Sequence, residues 1–225
     1  LISADTNVSK TGTLVYAYHF TQDSEANVAV NGVNFAAFSL SFSHDNLSLP
    51  VTKGNVTASP GTGGVLDAKD TVAGWSSGTF TTLSSAYQSL VGGGVSDLSK
   101  QFSFTLSGLT PGQTYQLQLW SSCSSDMGYF FNTPSHNVKN QISAGNSVTL
   151  DVNNTNTPGG VGQWVIGTFT ADATTETISI SNSATNDGPV LNAFQLRLVP
   201  EPCAGLLLSG SGLFFATLRR RKARC

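Results

Sequence analysis

Apolar and polar residues alternate with a period of two in short runs along most of this chain, and only an extended strand places i, i+2 and i+4 on one face. In residues 115–120, Tyr115, Leu117 and Leu119 face one way and Gln116, Gln118 and Trp120 the other. In residues 175–182, Ile178 and Ile180 alternate with Thr177, Ser179 and Ser181. Comparable runs occupy 13–20, 28–38, 102–108, 147–153, 163–171 and 190–199. Asn31-Gly32, Pro111-Gly112 and Pro158-Gly159-Gly160 punctuate them, because Gly and Asn tolerate the backbone angles of tight turns and Pro presets one. Many short strands separated by such turns predict a mainly β chain folded as an antiparallel sandwich.

One segment departs from the alternation. Leu83, Ala86, Tyr87 and Leu90 recur at steps of three and four, and Gly92-Gly93-Gly94 follows as a stop. A helix of two or three turns is expected at 82–91, closing an edge or an end of the sandwich. The Gly- and Thr-rich passage 54–64 reads as flexible. At 225 residues the chain suits one ordinary domain with a real core, here residues 1–199, and no internal repeat is evident. The chain does not begin with Met and no apolar leader precedes its first residues, so it reads as a fragment or a mature form.

Charge is distributed unevenly. The formal net charge is -2, but residues 1–199 hold six Lys/Arg against twelve Asp/Glu, while Arg219, Arg220, Arg221, Lys222 and Arg224 crowd the last seven positions. An acidic body without a basic stripe argues against nucleic acid as a partner. Before the cationic cluster, residues 203–218 carry no charge. As a helix they would span about 24 Å, short of the roughly 30 Å hydrocarbon core, a deficit that snorkelling arginines reduce. A C-terminal transmembrane helix is expected there, with the basic tip in the cytoplasm and the body on the far side.

Pro200-Glu201-Pro202, the short apolar segment and then Arg219, Arg220 and Arg221 together resemble the PEP-CTERM sorting signal of Gram-negative bacteria that make exopolysaccharide. The resemblance covers 200–225 and implies export, transient anchoring in the inner membrane, and processing near Pro-Glu-Pro by an exosortase-type membrane protease. The body would then remain at the cell surface or in the extracellular matrix. Family tails often carry Ser or Ala after the second proline, where this chain has Cys203. The layout of the body, from SADTNVSKTGTLVYAYHF through LTPGQTYQLQLW to VLNAFQLRLVPEP, is similar to exported PEP-CTERM proteins of Verrucomicrobia and Planctomycetes. That similarity implies a jelly-roll module of the galactose-binding-like class.

Chemistry-bearing residues are sparse. Residues 74–78 satisfy GxSxG, yet the motif lacks the strand and immediate helix that would hold Ser76 as a nucleophile with Asp126 and His136. His19, His44 and His136 are isolated, and Cys123 has no evident base beside it. Three cysteines are too few and too scattered for a disulfide framework. No catalytic residue is assigned. Sugar binding asks for an aromatic face with amides and carboxylates around it, and Asp126, Tyr129, Phe131 and Asn132 after a strand end, with Trp75, meet that description. Trp120 and Trp164, inside strand patterns, are expected to fill the core or close its edge. Asp151 and Asn153 resemble the opening of a calcium loop, but Thr155 holds the third position and no glutamate closes the set. No cofactor is expected; the alternative left open is a structural calcium held with Asp172 or Asp187. The expected function is a noncatalytic exported matrix or surface protein with extracellular polysaccharide as a partner. The alternative is a secreted glycan-active hydrolase on the same scaffold.

Overall fold

The computed structural model describes residues 1–22, 26–40, 48–71, 78–97, 99–125, 138–182 and 188–200. Two six-stranded sheets face each other. In the first, the order across the sheet is β12 (Gln163–Thr170), β9 (Thr114–Ser121), β15 (Ala193–Leu198), β1 (Thr13–Thr21), β3 (Val33–Ser39) and β2 (Val28–Val30). In the second it is β11 (Asn146–Asp151), β10 (Lys139–Ala144), β13 (Thr175–Asn182), β8 (Gln101–Ser107), β5 (Val56–Pro60) and β4 (Val51–Lys53). A small third sheet joins β14 (Val190–Leu191), β7 (Gly93–Asp97) and β6 (Leu66–Asp70).

Pairing is antiparallel except between β1 and β3. The exception follows from the hairpin at Asn31 and Gly32, both at positive φ (50° and 76°), which pairs β2 with β3 and leaves β2 at the sheet's edge while β3 sits against β1. Positive φ at both central residues is the turn geometry that Asn-Gly favours.

The main core lies between the large sheets. Phe20, Leu117, Leu119, Phe194 and Leu196 point inward from the first, and Val56, Phe102, Phe104, Leu106, Ile178 and Ile180 from the second. Phe104 stacks on Phe194 with ring centroids 4.9 Å apart. Leu117, Leu119, Ile178 and Ile180 are alternate positions marked in the sequence. The segment 54–64, read there as flexible, contains β5 instead. Its Val56 and Ala58 are buried against Leu106 and Phe104 of β8, and that burial holds the backbone in the ladder despite the surrounding glycines.

The opposite face of the first sheet is also apolar, which makes the body three layers deep. Trp120, Phe35, Val33, Ala17 and Ala193 lie there beneath Ile2 and Val8 of the N-terminal segment and beneath the single α-helix of the described residues, α1 (Ser85–Gly92). Ser84 caps the helix, its Oγ accepting the Tyr87 N–H at 3.1 Å. The helix was expected at an edge or end; it covers this face because Tyr87 and Leu90 find apolar area only there. Trp120 Nε1 donates to the Tyr87 hydroxyl at 2.8 Å, so both buried polar atoms are satisfied, and burial holds that phenol well above its usual pKa.

Further along this face, polar groups hold the N-terminal segment down. Gln118 donates to the Asn7 carbonyl at 2.6 Å, and the buried Arg197 guanidinium donates to the carbonyls of Thr11 (2.9 Å), Lys10 (3.3 Å) and Gly12 (2.9 Å). Asn192, fully buried, ties the end of α1, the start of β7 and the residue after β9 together. Its Nδ2 donates to the carbonyls of Val91 (3.0 Å), Gly93 (2.8 Å) and Ser122 (3.0 Å), while its Oδ1 accepts the Ser122 N–H at 2.5 Å.

Candidate functional site

Sheet closure is incomplete on one side. β12 ends the first sheet and β11 ends the second, and between these two edges the sandwich opens as a cleft of about 260 Å³. Its floor is core side chain: Leu117 and Leu119 from β9, Ile142 from β10 and Ile178 from β13. Val165 and Phe169 of β12 form one wall, and Val148 of β11, 37% exposed, forms part of the other. Phe169 is braced from behind by Tyr115, whose ring stacks on it at 5.7 Å with an interplanar angle of 25°.

A glycine makes the room. Along β12 the inward positions are Val165, Gly167 and Phe169, set by their register opposite Leu119, Leu117 and Tyr115 of β9. A Cβ added at Gly167 would meet no atom within 4 Å, so a side chain there would project into open space. Glycine inside a strand weakens it and often marks a place where something approaches the backbone closely. Asn146, Ser147 and Thr168 bring polar groups to the cleft, and each flanking strand has one edge without a strand partner among the described residues. Among the described residues no ionisable side chain lines it.

The residues expected from sequence to bind carbohydrate, Trp75, Asp126, Tyr129, Phe131 and Asn132, lie outside the described residues, as do Asp187 and the GxSxG serine with its suggested partners. Of the sorting motif, Pro200 is described and exposed; Glu201, Pro202, Arg219, Arg220 and Arg221 lie outside, as does the expected membrane helix 203–218. Among the described residues no helix is long and apolar enough to cross a membrane.

Asp151 and Asn153 are near one another but differently engaged. Asp151 pairs with Lys139 at 3.5 Å on an exposed surface. Asn153 holds the loop that follows: its Nδ2 donates to the carbonyls of Cys123 (3.0 Å) and Thr157 (2.8 Å), and its Oδ1 accepts from the Thr155 N–H (3.2 Å) and Oγ1 (3.0 Å). The Asp151 N–H bonds Gln163 Oε1 at 2.8 Å at the start of β12, whereas Asp172 follows the end of that strand. Eight residues of strand separate them by about 26 Å. The structure therefore does not bring Asp172 to the Asp151/Asn153 pair, and no cluster of three metal-ligating side chains occurs among the described residues. Cys123 is buried with its sulfur 3.1 Å from Ser125 Oγ. His19 is fully buried, its Nε2 at 3.2 Å from the Ala26 carbonyl.

No sequence motif marks the cleft. Its signal was present as the one glycine at an inward position of an otherwise alternating run, Val165-Gly167-Phe169, but no pattern within one strand shows that the facing sheet also ends there.

The chain matches no family model and no curated protein. Among solved structures it is similar to the xylan-binding domain CBM22-1 of Paenibacillus barcinonensis Xyn10C, at 12% identity and a TM-score of 0.39 over 85% of this chain and 98% of that one. It is also similar to a family 35 carbohydrate binding module from Clostridium thermocellum, at 11% identity and a TM-score of 0.34 over 64% of this chain and 98% of that one. A calcium-binding mutant of Bacteroides uniformis beta-glucuronidase 2 gives 12% identity and a TM-score of 0.48 over 83% of this chain but only 18% of that one.

Proposed function

We propose that this chain is a noncatalytic binding module for a neutral sugar chain, exported and displayed at the cell surface or in the extracellular matrix. The observation that carries the binding part is the β11/β12 cleft, which is open to solvent, largely apolar and lined by no ionisable group among the described residues. Glycoside hydrolysis needs two carboxylates placed across the bond, and general acid–base catalysis needs a titratable group within reach of the proton. Among the described residues the cleft offers neither, which supports binding without cleavage. Apolar pockets with a few polar groups are where small ligands are ordinarily held. The Phe169 ring and Val148 offer apolar area to a sugar's C–H face, and Asn146 with the free strand edges offers partners to its hydroxyls.

Gly167→Leu tests this reading because a Cβ there meets no atom within 4 Å and the rest of the side chain extends into the cleft. Calorimetric titration with a panel of neutral oligosaccharides should show at least one ligand whose affinity falls tenfold or more in the variant, with Tm unchanged or raised. Unchanged affinity, or release of shortened product by the parent chain, would contradict the proposal.

The location part rests on the tail. Its Pro-Glu-Pro begins at Pro200, two residues after the end of β15, so a cut there would leave the described body whole. In cells that process such tails, the intact mass should place the mature C-terminus near residue 200 and lose that cut when residues 200–202 are replaced by alanines. An uncleaved chain in the membrane would leave only an ordinary anchor.

A further inference from the structure

The two ends of the cleft are built differently. β11 and β12 are consecutive in the chain, and the loop 152–162 that joins them crosses directly from the edge of one large sheet to the edge of the other. That crossing is packed shut. The Asp151 N–H donates to Gln163 Oε1 at 2.8 Å, the Asn154 N–H to the Val161 carbonyl at 2.8 Å, and the Val161 N–H to Asn154 Oδ1 at 3.2 Å. Two more bonds fasten the loop to the residues after β9: the Cys123 N–H donates to the Val152 carbonyl at 2.7 Å, and the Gly162 N–H to Ser122 Oγ at 3.0 Å. Val152 and Val161 are fully buried in it. At the opposite end β12 runs through residues 171–174 into β13, which lies two strands in from the edge of the second sheet. The chain therefore crosses between the sheets behind the β10–β11 hairpin there and not at its edge. The hairpin's turn at Gly145 (φ 84°) is exposed, as are Asn146 and Ser147 beside it.

The lining runs from Asn146 to Val148 on β11 and from Val165 to Phe169 on β12, and stops short of the closing loop. The space is thus a blind slot, open past Asn146 and Phe169 and walled beyond Val165. Its volume of about 260 Å³ falls below the roughly 300–1,000 Å³ of sites that enclose a drug-sized ligand, so it has room for one or two sugar rings and not for a run of them. The floor also limits depth. Leu117, Leu119, Ile142 and Ile178 return no hydrogen bond to a hydroxyl, and every hydroxyl pushed past Asn146, Ser147 and Thr168 is left unpaired at a cost. A ring within a chain carries a glycosidic bond at each end. Laid along the slot, it would have to continue its inner bond into the closing loop, where Val152 and Val161 are buried. A terminal ring carries one such bond, which can leave through the open end.

We infer that the cleft takes the terminal ring of a neutral sugar chain and not an internal stretch, an inference that rests on the cleft being the binding site. The full chain is titrated with linear oligosaccharides of two to six units from the cello, xylo and laminari series. In a series that binds, affinity should change less than twofold between disaccharide and hexasaccharide, because the added rings lie outside the slot. Two capped hexasaccharides of that series then identify the terminus. One is reduced to the alditol at its reducing end, and the other is methylated on the free linking hydroxyl of its non-reducing ring. One of the two should bind at least tenfold more weakly than the uncapped hexasaccharide, and the one that does names the end that enters. Affinity that climbs tenfold or more with length, or two capped ligands that bind as tightly as the uncapped one, would overturn the inference. If Gly167→Leu still weakened binding in that case, the cleft reading would stand without it. No binding in any series, or binding that Gly167→Leu leaves unchanged, would overturn both.

Discussion

Single side chains in this molecule act through what they would leave unsatisfied if removed. Asn192 satisfies three carbonyls and one amide belonging to the helix end, β7 and β9. Buried polar groups left without a partner cost about 1–3 kcal/mol each, partly relieved by rearrangement. Asn192→Ala should therefore destabilise the fold by about 2–4 kcal/mol, seen as a lower urea midpoint with unchanged slope. Glu176 works in the opposite sense. It lies opposite Leu106 of β8, and desolvation, with Asp172 nearby, raises its pKa. A carboxyl whose folded pKa is raised favours the folded state while protonated; that contribution is full below its unfolded value, about 4.3, and is lost as pH rises from there through the higher folded value. Glu176→Gln should match the parent near pH 3 and exceed its stability at pH 7. Equal stability at both pH values would show that the carboxyl is not desolvated. Gly167 acts through the space it leaves, and neither its role nor that of Asn192 is legible in sequence, since the first depends on where β10, β11 and β13 fold against β12 and the second on Val91, Gly93 and Ser122.

Elements were legible where one strand's own alternation decided which face is buried. β1, β8, β9, β12 and β13 fall where the period-two runs place them, and the Asn31-Gly32 hairpin falls where its turn chemistry does. β4 and β5 were missed because three- and five-residue strands rich in Thr, Ser and Pro carry too few alternations to outweigh the adjacent Gly-rich passage. The helix was placed correctly within three residues at its start, but its docking was not, because an amphipathic stripe names a face and not the surface that receives it. Trp120 was expected to fill the core or close its edge and is fully buried; the sequence did not show that the core it fills is a second one, supplied on the Gln116 and Gln118 side of β9 by helix α1. Tyr87→Phe would strand its indole N–H and should cost about 1–3 kcal/mol by denaturant titration; a cost near zero would mean that the bond between element and helix contributes nothing.

The whole molecule is organised by the first sheet, which has a core on each face. Leu117 and Leu119 belong to one core and Trp120 to the other, all on β9, so neither core can be lost without disturbing the strand that serves both. Unfolding should be a single transition, with tryptophan fluorescence and far-ultraviolet circular dichroism giving the same midpoint. Separate midpoints would divide the outer layer from the sandwich. The same architecture leaves the far edges of both sheets, β11 and β12, side by side and open, which gives the cleft its position. The most direct test is an amide-resolved NMR titration of the chain with neutral oligosaccharides. The account predicts saturable shifts confined to Asn146, Ser147 and Val148 on β11 and to residues 165–169 on β12, with the oligosaccharide intact at the end. Shifts centred instead on Asp126, Tyr129, Phe131 and Asn132, or no saturable shift with any neutral sugar, would contradict the cleft as the binding site.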